Sequence, residues 1–351
     1  MNSRGFKQIS SSNGESEELF EHFRFTVDKG QAPLRIDKYL LNRIENASRN
    51  RIQNAAESGA ILVNSKPTKS SYKVRPGDII SIVLPEPVRY TELVPENISL
   101  DIIYEDEHLI IIDKPAGMVV HPAHGNLNGT LMNALLFHFN KIRSKEKNLL
   151  EVPGLIHRID KNTSGLMVIA KTELAQSSLA KQFFDRTIDR KYLALVWGDF
   201  RDDAGTITGN IARHQKNRQV MDVYEGDVHG KPAVTHYKVI QRFGYVTLVE
   251  CKLETGRTHQ IRVHFQHIGH PLFNDEQYGG NKILKGTTFT KYKQFVENCF
   301  ELLPRHALHA KTLGFIHPLT KKKIFFDSNP PSDFNAVIDK WSKYLSRRES
   351  K

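Results

Sequence analysis

The chain has 351 residues, 39% of them hydrophobic, which suits about two globular domains of roughly 150 residues each. No apolar run approaches the ~18 residues of a membrane span, and the two cysteines, Cys251 and Cys299, are too far apart in sequence to suggest a disulfide framework or a CxxC metal clip. Lys and Arg number 50 against 39 Asp and Glu, a net charge of +11 that favours a polyanionic partner without separating RNA, DNA and an anionic membrane surface.

The opening "MNSRGFKQISSSNGESEELF" lacks the apolar core of a secretory signal, so residues 1–32 are expected to be a polar lead-in and a first strand. With the sparse cysteines, this favours a reducing, cytoplasmic setting. The next unit, 33–90, begins with "LRIDKYLLNRI", where Leu34, Ile36, Tyr39, Leu40 and Ile44 form an approximate helical stripe. In "NASRNRIQNAAESG", Ser48 is an N-cap candidate and Gly59 a C-terminal stop. "AILVNSKPTK" reads as strand, turn at Asn64-Ser65, strand, and "VRPGDIISIVL" as a tight turn and strand. Residues 33–84 carry nine Lys/Arg and four Asp/Glu, a local +5 that includes Arg49 and Arg51 at a helix start and Lys66 beside the turn. A solvated helix face explains such a count, but cations at a helix N-terminus also suit phosphate.

Pro85, Pro87 and Pro95 mark an extended linker, after which residues 91–335 become β-rich. "LDIIYEDEHLIIIDKPAGMVVH" predicts two strands, a turn at Lys114–Gly117 and a third strand. Further strands are expected in "RKYLALVWG", "AVTHYKVIQRFGYVTLVECKL" and "LGFIHPLTKKKIFF", and helices at 130–140, 173–186 and 257–268. Strands with occasional helices indicate an α+β sheet, not a βαβ repeat. Residues 336–351 are expected to form a short amphipathic helix with a basic tail.

In "GLIHRIDKNTSGLMVIAKT", Asp160 lies between Arg158 and Lys161, ahead of a sharp Thr163-Ser164-Gly165 turn and an apolar strand. An isolated Asp there would be a structural loop residue. On a rigid loop edge among cations, it would stay ionised and accessible to a substrate. In "ETGRTHQIRVHFQHIGHP", a helix would set Arg262 and Gln266 on one face. His264 and His267 share helical spacing, but no HExxH or nearby carboxylate completes a metal set, so no metal is expected. Tyr192 by itself reads as a half-buried strand residue.

Taken together, these segments resemble the RluA/RluD-type pseudouridine synthases. "HRIDKNTSG" matches the family's catalytic motif, usually written HRLDxxTSG, with Ile159 in place of Leu. "YEDEHLIIIDKPAGMVVHPAHGN", "RKYLALVWG", "LETGRTHQIRVHFQHIGHPLFND" and "RHALHAKTLGFIHP" match its other motifs in order, over about residues 100–326. "SRNRIQ…ESGAILVNSKP…VRPGD" resembles an S4 RNA-binding module over about 50 residues. The "GMVVHP…GN" and "GKPAVTHYKV" segments look closest to the D-type branch, with the C-type branch as the alternative.

The resemblance implies a small α/β S4 module followed by a mixed, mainly antiparallel catalytic sheet with flanking helices. It implies isomerisation of uridine to pseudouridine in structured large-subunit ribosomal RNA, free or in a pre-ribosomal particle. No cofactor and no membrane partner are implied, and a monomer is expected. Asp160 would be the catalytic carboxylate, Arg262 its charge partner and Tyr192 a residue against the base. Leu308 would wall the uracil pocket. Arg158, with His157 beside it, would face the RNA, and Arg49, Arg51 and Lys66 would be the S4 contacts. Two rival readings remain, a non-catalytic ribosome-assembly factor and a nucleoside hydrolase. The first has no use for a carboxylate in an anionic groove, and the second needs another acid that no motif supplies.

Overall fold

The computed structural model describes residues 20–41, 43–44, 48–84, 93–122, 126–146, 148–217, 220–226, 229–287 and 289–349. The lead-in before residue 20 and most of the proline-marked linker, 85–92, lie outside them. The chain divides into two compact units, Met1–Glu92 and Leu93–Lys351.

The first unit contains β1 (Phe20–Thr26), α1 (Ile36–Leu41), α2 (Arg49–Glu57), β2 (Ile61–Val63), β3 (Lys66–Pro67) and β4 (Ile79–Leu84). Its antiparallel sheet has the order β1-β4-β2-β3. Ile36, Tyr39, Leu40 and Ile52 from the helices pack with Ile61, Val63, Ile80 and Ile82. The Ser48 side chain accepts from the Arg51 N–H and caps α2, while Asn64 and Ser65, at φ 49° and 66°, form the left-handed turn that joins β2 to β3 with matching twist. Asp37 is fully buried and accepts from Arg35, Arg49 and Gln53. The hydrogen bond from Arg35, foremost, lowers its carboxyl to about 2, so this carboxylate ties α1 to α2.

The second unit is built from β5 (Ile102–Glu105), β6 (Leu109–Lys114), α3 (Leu131–Ile142), β7 (Gly154–Leu155), β8 (Ser164–Ala170), α4 (Glu173–Phe184) and β9 (Asp189–Trp197). It continues with β10 (Ala204–Arg213), β11 (Met221–Tyr224), β12 (Lys231–Arg242), β13 (Val246–Leu253), α5 (Gln260–His267), α6 (Thr290–Leu302), β14 (Leu308–Ile316), β15 (Lys323–Asp327) and α7 (Ser332–Glu349). One sheet runs β11-β10-β12-β13-β9-β14-β8-β6-β5, with β15 on β14 and β7 on β8, and only the β14–β8 pairing is parallel. Both faces of the sheet centre are covered, and two-residue alternation divides its side chains between them. Ile110, Ile112, Met167, Ile169, Ala194 and Val249 pack with α3 and α5, whereas Leu109, Ile111, Leu166 and Val168 pack with Leu179 of α4.

Two expectations differ from this architecture. The third strand expected at "GMVVH" is absent, because the Val119 and Val120 carbonyls accept from the first N–H groups of α3 instead of a neighbouring strand. The amphipathic helix expected within 336–351 is present, but it is the body of the longer α7, whose Val337 and Trp341 are buried with Trp197 and Phe273, so it packs into the core and is no separate tail. Strands β10 and β11 add a sheet margin that sequence alternation did not single out.

Candidate active site

Asp160 sits on the loop from β7 to β8, and three consecutive carbonyls fix that loop. The Asp160 carbonyl accepts from the Thr163 N–H. The Lys161 carbonyl accepts from the Gly117 N–H and from Lys114 Nζ at 2.9 and 3.1 Å, and the Asn162 carbonyl accepts from Arg305 at 3.1 Å. Lys114 is fully buried and also donates to the Pro115 and Met118 carbonyls. Burial lowers its ammonium to about 7 against the opposing pull of Asp160. The Thr163 hydroxyl meets His306 Nε2 at 2.9 Å. A loop held through its backbone leaves the Asp160 side chain available.

That side chain has two different oxygens. Oδ2 accepts from Arg262 Nη1 at 3.0 Å, whereas Oδ1 accepts no hydrogen bond among the described residues and lies 3.9 Å from His259 Nε2. Burial alone would raise the Asp160 carboxyl, but His259, Arg262 and His306 outweigh it and hold the group below its ordinary range. Burial lowers His259 and takes His306 down to about 3, so both imidazoles are neutral-leaning and Arg262 supplies the lasting positive charge.

Arg262 is on the first turn of α5, whose N-cap His259 adopts the left-handed conformation at φ 55°. Its fork is held mainly by Asp275: Nε and Nη2 donate to the two carboxylate oxygens at 2.7 and 2.8 Å, and Nη2 also donates to Gln277 at 2.7 Å. The guanidinium carbon lies 4.9 Å from the Tyr278 ring centroid. The Tyr278 hydroxyl, 2.8 Å from His259 Nδ1, accepts from the Met221 N–H. Asp275, Gln277 and Tyr278 were not singled out from sequence, although Asp275 closes the quoted "GHPLFND". Gln266, expected to share a face with Arg262, is exposed.

Asp160, Arg262, Tyr192 and Leu308 line one cleft of about 550 Å³, together with His157 and Arg158. Tyr192 on β9 is 7% exposed, and burial raises its phenol against the lowering effect of Arg190. Arg158 is exposed. His157 departs from the expected RNA contact: its ring stacks on Phe183 at 4.7 Å and its Nε2 accepts from the Val168 N–H, while burial lowers it to about 3. In the other unit, Arg49, Arg51 and Lys66 are exposed, with Arg49 also paired to Asp37. His264 is buried on Thr235 and His267 is exposed; among the described residues no group of three potential metal ligands occurs.

The model of the RNA pseudouridylate synthase family matches residues 108–267, and that of the S4 domain matches 34–80. An uncharacterized RNA pseudouridine synthase of Chlorobaculum parvum is 46% identical, over 92% of this chain and 99% of the relative. The ribosomal large subunit pseudouridine synthase D of Nitrosomonas europaea is 41% identical, over 95% and 91%. Human RNA pseudouridylate synthase domain containing 1 has a similar fold, with a TM-score of 0.51 and 23% identity over 71% of this chain and 95% of that one. The chain therefore belongs to the RNA pseudouridine synthases, isomerases that convert uridine in RNA to pseudouridine, and carries an S4 domain ahead of its catalytic domain.

Proposed function

We propose that this isomerase modifies uridines of large-subunit ribosomal RNA, of the D-type sites in preference to the C-type, with Asp160 as its catalytic carboxylate. The observation that carries the assignment is the asymmetry of that carboxylate: one oxygen is fixed by Arg262, and the other accepts no hydrogen bond among the described residues, in a cleft lined by Tyr192 and Leu308. The substrate class follows relatives named for the large ribosomal subunit.

Isomerisation breaks N1–C1′, turns the uracil and forms C5–C1′. The C5 proton leaves and N1 gains one, so the reaction has no net redox change. Whether Asp160 first engages C1′, the C2′ proton or C6, it must act as an ionised oxygen, which Arg262 secures. Tyr192 and Leu308 form the walls against which uracil lies. Because burial holds the Tyr192 phenol protonated, its service as base at C5 requires it to pass on its own proton. Arg158 fills the stack that the flipped uridine vacates, and RNA contacts offset the few kcal/mol that flipping costs. His157 steadies the loop. Arg49, Arg51 and Lys66 hold RNA from the S4 unit. The enzyme works as a monomer in the cytoplasm, on ribosomal RNA or a pre-ribosomal particle.

Pseudouridine mapping of total RNA from a strain lacking the gene, complemented by wild type or Asp160→Asn, tests the assignment. Wild type should restore pseudouridine at defined large-subunit uridines, and Asp160→Asn should not. Restoration by Asp160→Asn would remove the catalytic role, sites confined to another RNA class would remove the substrate, and release of free uracil would indicate hydrolysis.

A further inference from the structure

The end of α4 carries two consecutive phenylalanines with opposite fates. Phe183 is packed: His157 stacks on it at 4.7 Å, and the Arg190 guanidinium lies 5.0 Å from its centroid. Phe184 is 87% exposed and yet lines the catalytic cleft. The fold gains little burial from this ring, so its face is free for a molecule bound in the cleft that it lines.

Two cations accompany it. Arg186 follows the helix at the position where the chain turns left-handed, at φ 58°, with the Thr187 N–H donating to the Gln182 carbonyl. Glycine is the usual occupant of this turn because a Cβ is strained there; arginine stands in it and its side chain lines the cleft. Arg190 lines the same cleft, forms no ion pair among the described residues, and its buried Nε has no hydrogen-bond partner there. A guanidinium left with donors to spare suits an anion. An exposed ring that shares a cleft with such cations offers the chemistry that holds one nucleotide, with the ring on the base face and guanidinium on phosphate.

We propose that the α4–β9 corner is a subsite for the nucleotide next to the isomerised uridine, with Phe184 stacking on its base and Arg190 and Arg186 receiving the intervening phosphate. The subsite rests on the reading of the Asp160 cleft as the active site, but not on which RNA class is modified. It makes the base beside the target a determinant of binding, while the uridine is handled by other residues.

The test uses the full chain and a short RNA spanning whichever uridine the mapping of total RNA identifies. Removing one base stack in Phe184→Ala should raise the half-saturating RNA concentration in single-turnover assays on the order of tenfold, an effect that falls on binding and not on the saturated rate. Phe184→Trp should retain binding. With an abasic nucleotide on the correct side of the target, wild type should weaken to the level of Phe184→Ala, and the variant should lose nothing more. Arg190→Gln should lower the slope of log affinity against log salt by about 0.7, the value for one neutralised phosphate on a single strand. Equal binding by Phe184→Ala and wild type, or an undiminished difference with either neighbour abasic, would overturn the subsite and leave the cleft assignment standing. Turnover by Asp160→Asn would instead remove the cleft assignment, and the subsite with it.

Discussion

At the scale of single residues, the site depends on who holds Arg262. Asp275 occupies two of its donors, and only Nη1 reaches Asp160. Asp275→Asn should therefore misplace the guanidinium and lower the single-turnover rate about 10²-fold with little change in RNA affinity; an unchanged rate would show that Asp160 needs no such alignment. The pH dependence follows from the same pair. Burial raises the Asp160 carboxyl and its basic neighbours lower it, with the net shift downward. An ionised Asp160 thus persists below the ordinary carboxylate value of about 4, and activity should be lost only as pH falls through that depressed value. In Arg262→Gln, burial is no longer opposed by the guanidinium, so the acid limb of the pH–rate profile should move to higher pH. An acid limb in the same place would assign it to another group. Asp160 and Arg262 were legible in sequence because each lies in a dense polar motif. Asp275 and Tyr278 were not, since they meet Arg262 across an irregular turn that no helical or strand period describes.

At the scale of elements, the Asp160 loop is only as fixed as the strand that follows it. Gly165 in β8 has φ +115°, and a Cβ there would stand 2.3 Å from the Ala310 carbonyl oxygen of β14. This close approach lies at the one parallel pairing in the sheet, where Ser164 faces His309 and Gly165 faces Ala310. Gly165→Ala should destabilise the catalytic unit by about 2–4 kcal/mol, from strained backbone and overpacking together. Both tryptophans, Trp197 and Trp341, are buried in this unit, so their fluorescence during denaturation follows it alone. A midpoint unchanged by the substitution would mean that β8 and β14 separate without cost. The strands around this point were readable from their alternation and apolar runs, "LIIID" and "LMVIA" above all. The irregular stretch at 118–121 was misread as a strand because Val119 and Val120 have strand-like side chains, whereas their carbonyls serve the start of α3. Side-chain pattern does not report where a carbonyl bonds.

At the scale of the molecule, the proposed function gives the first unit a share of RNA binding and the second the chemistry. Each has its own apolar core, the first around Ile36, Tyr39 and Ile80, the second around the large sheet. Helical and strand periods in the sequence change on either side of the proline-marked linker, and the division into two compact units falls at 92/93. The C-terminal limit was not: basic residues near the end suggested a tail, while Val337 and Trp341 of the same helix close a core cluster. On the proposed function, the charge excess of residues 33–84, nine cations against four anions, gives the first unit its electrostatic contacts with RNA. Removing residues 1–92 should consequently weaken RNA binding and flatten its salt dependence, by about 0.7–0.9 in log–log slope for each phosphate that the S4 unit neutralises. Asp160, Arg262, Tyr192 and Leu308 all lie beyond the cut, so the rate on a saturating short stem-loop should remain close to that of the full chain. Equal affinity and equal salt slope for the two forms would make the S4 unit a structural appendage. A collapsed rate at saturation, with the tryptophan transition intact, would make it part of the catalytic machinery.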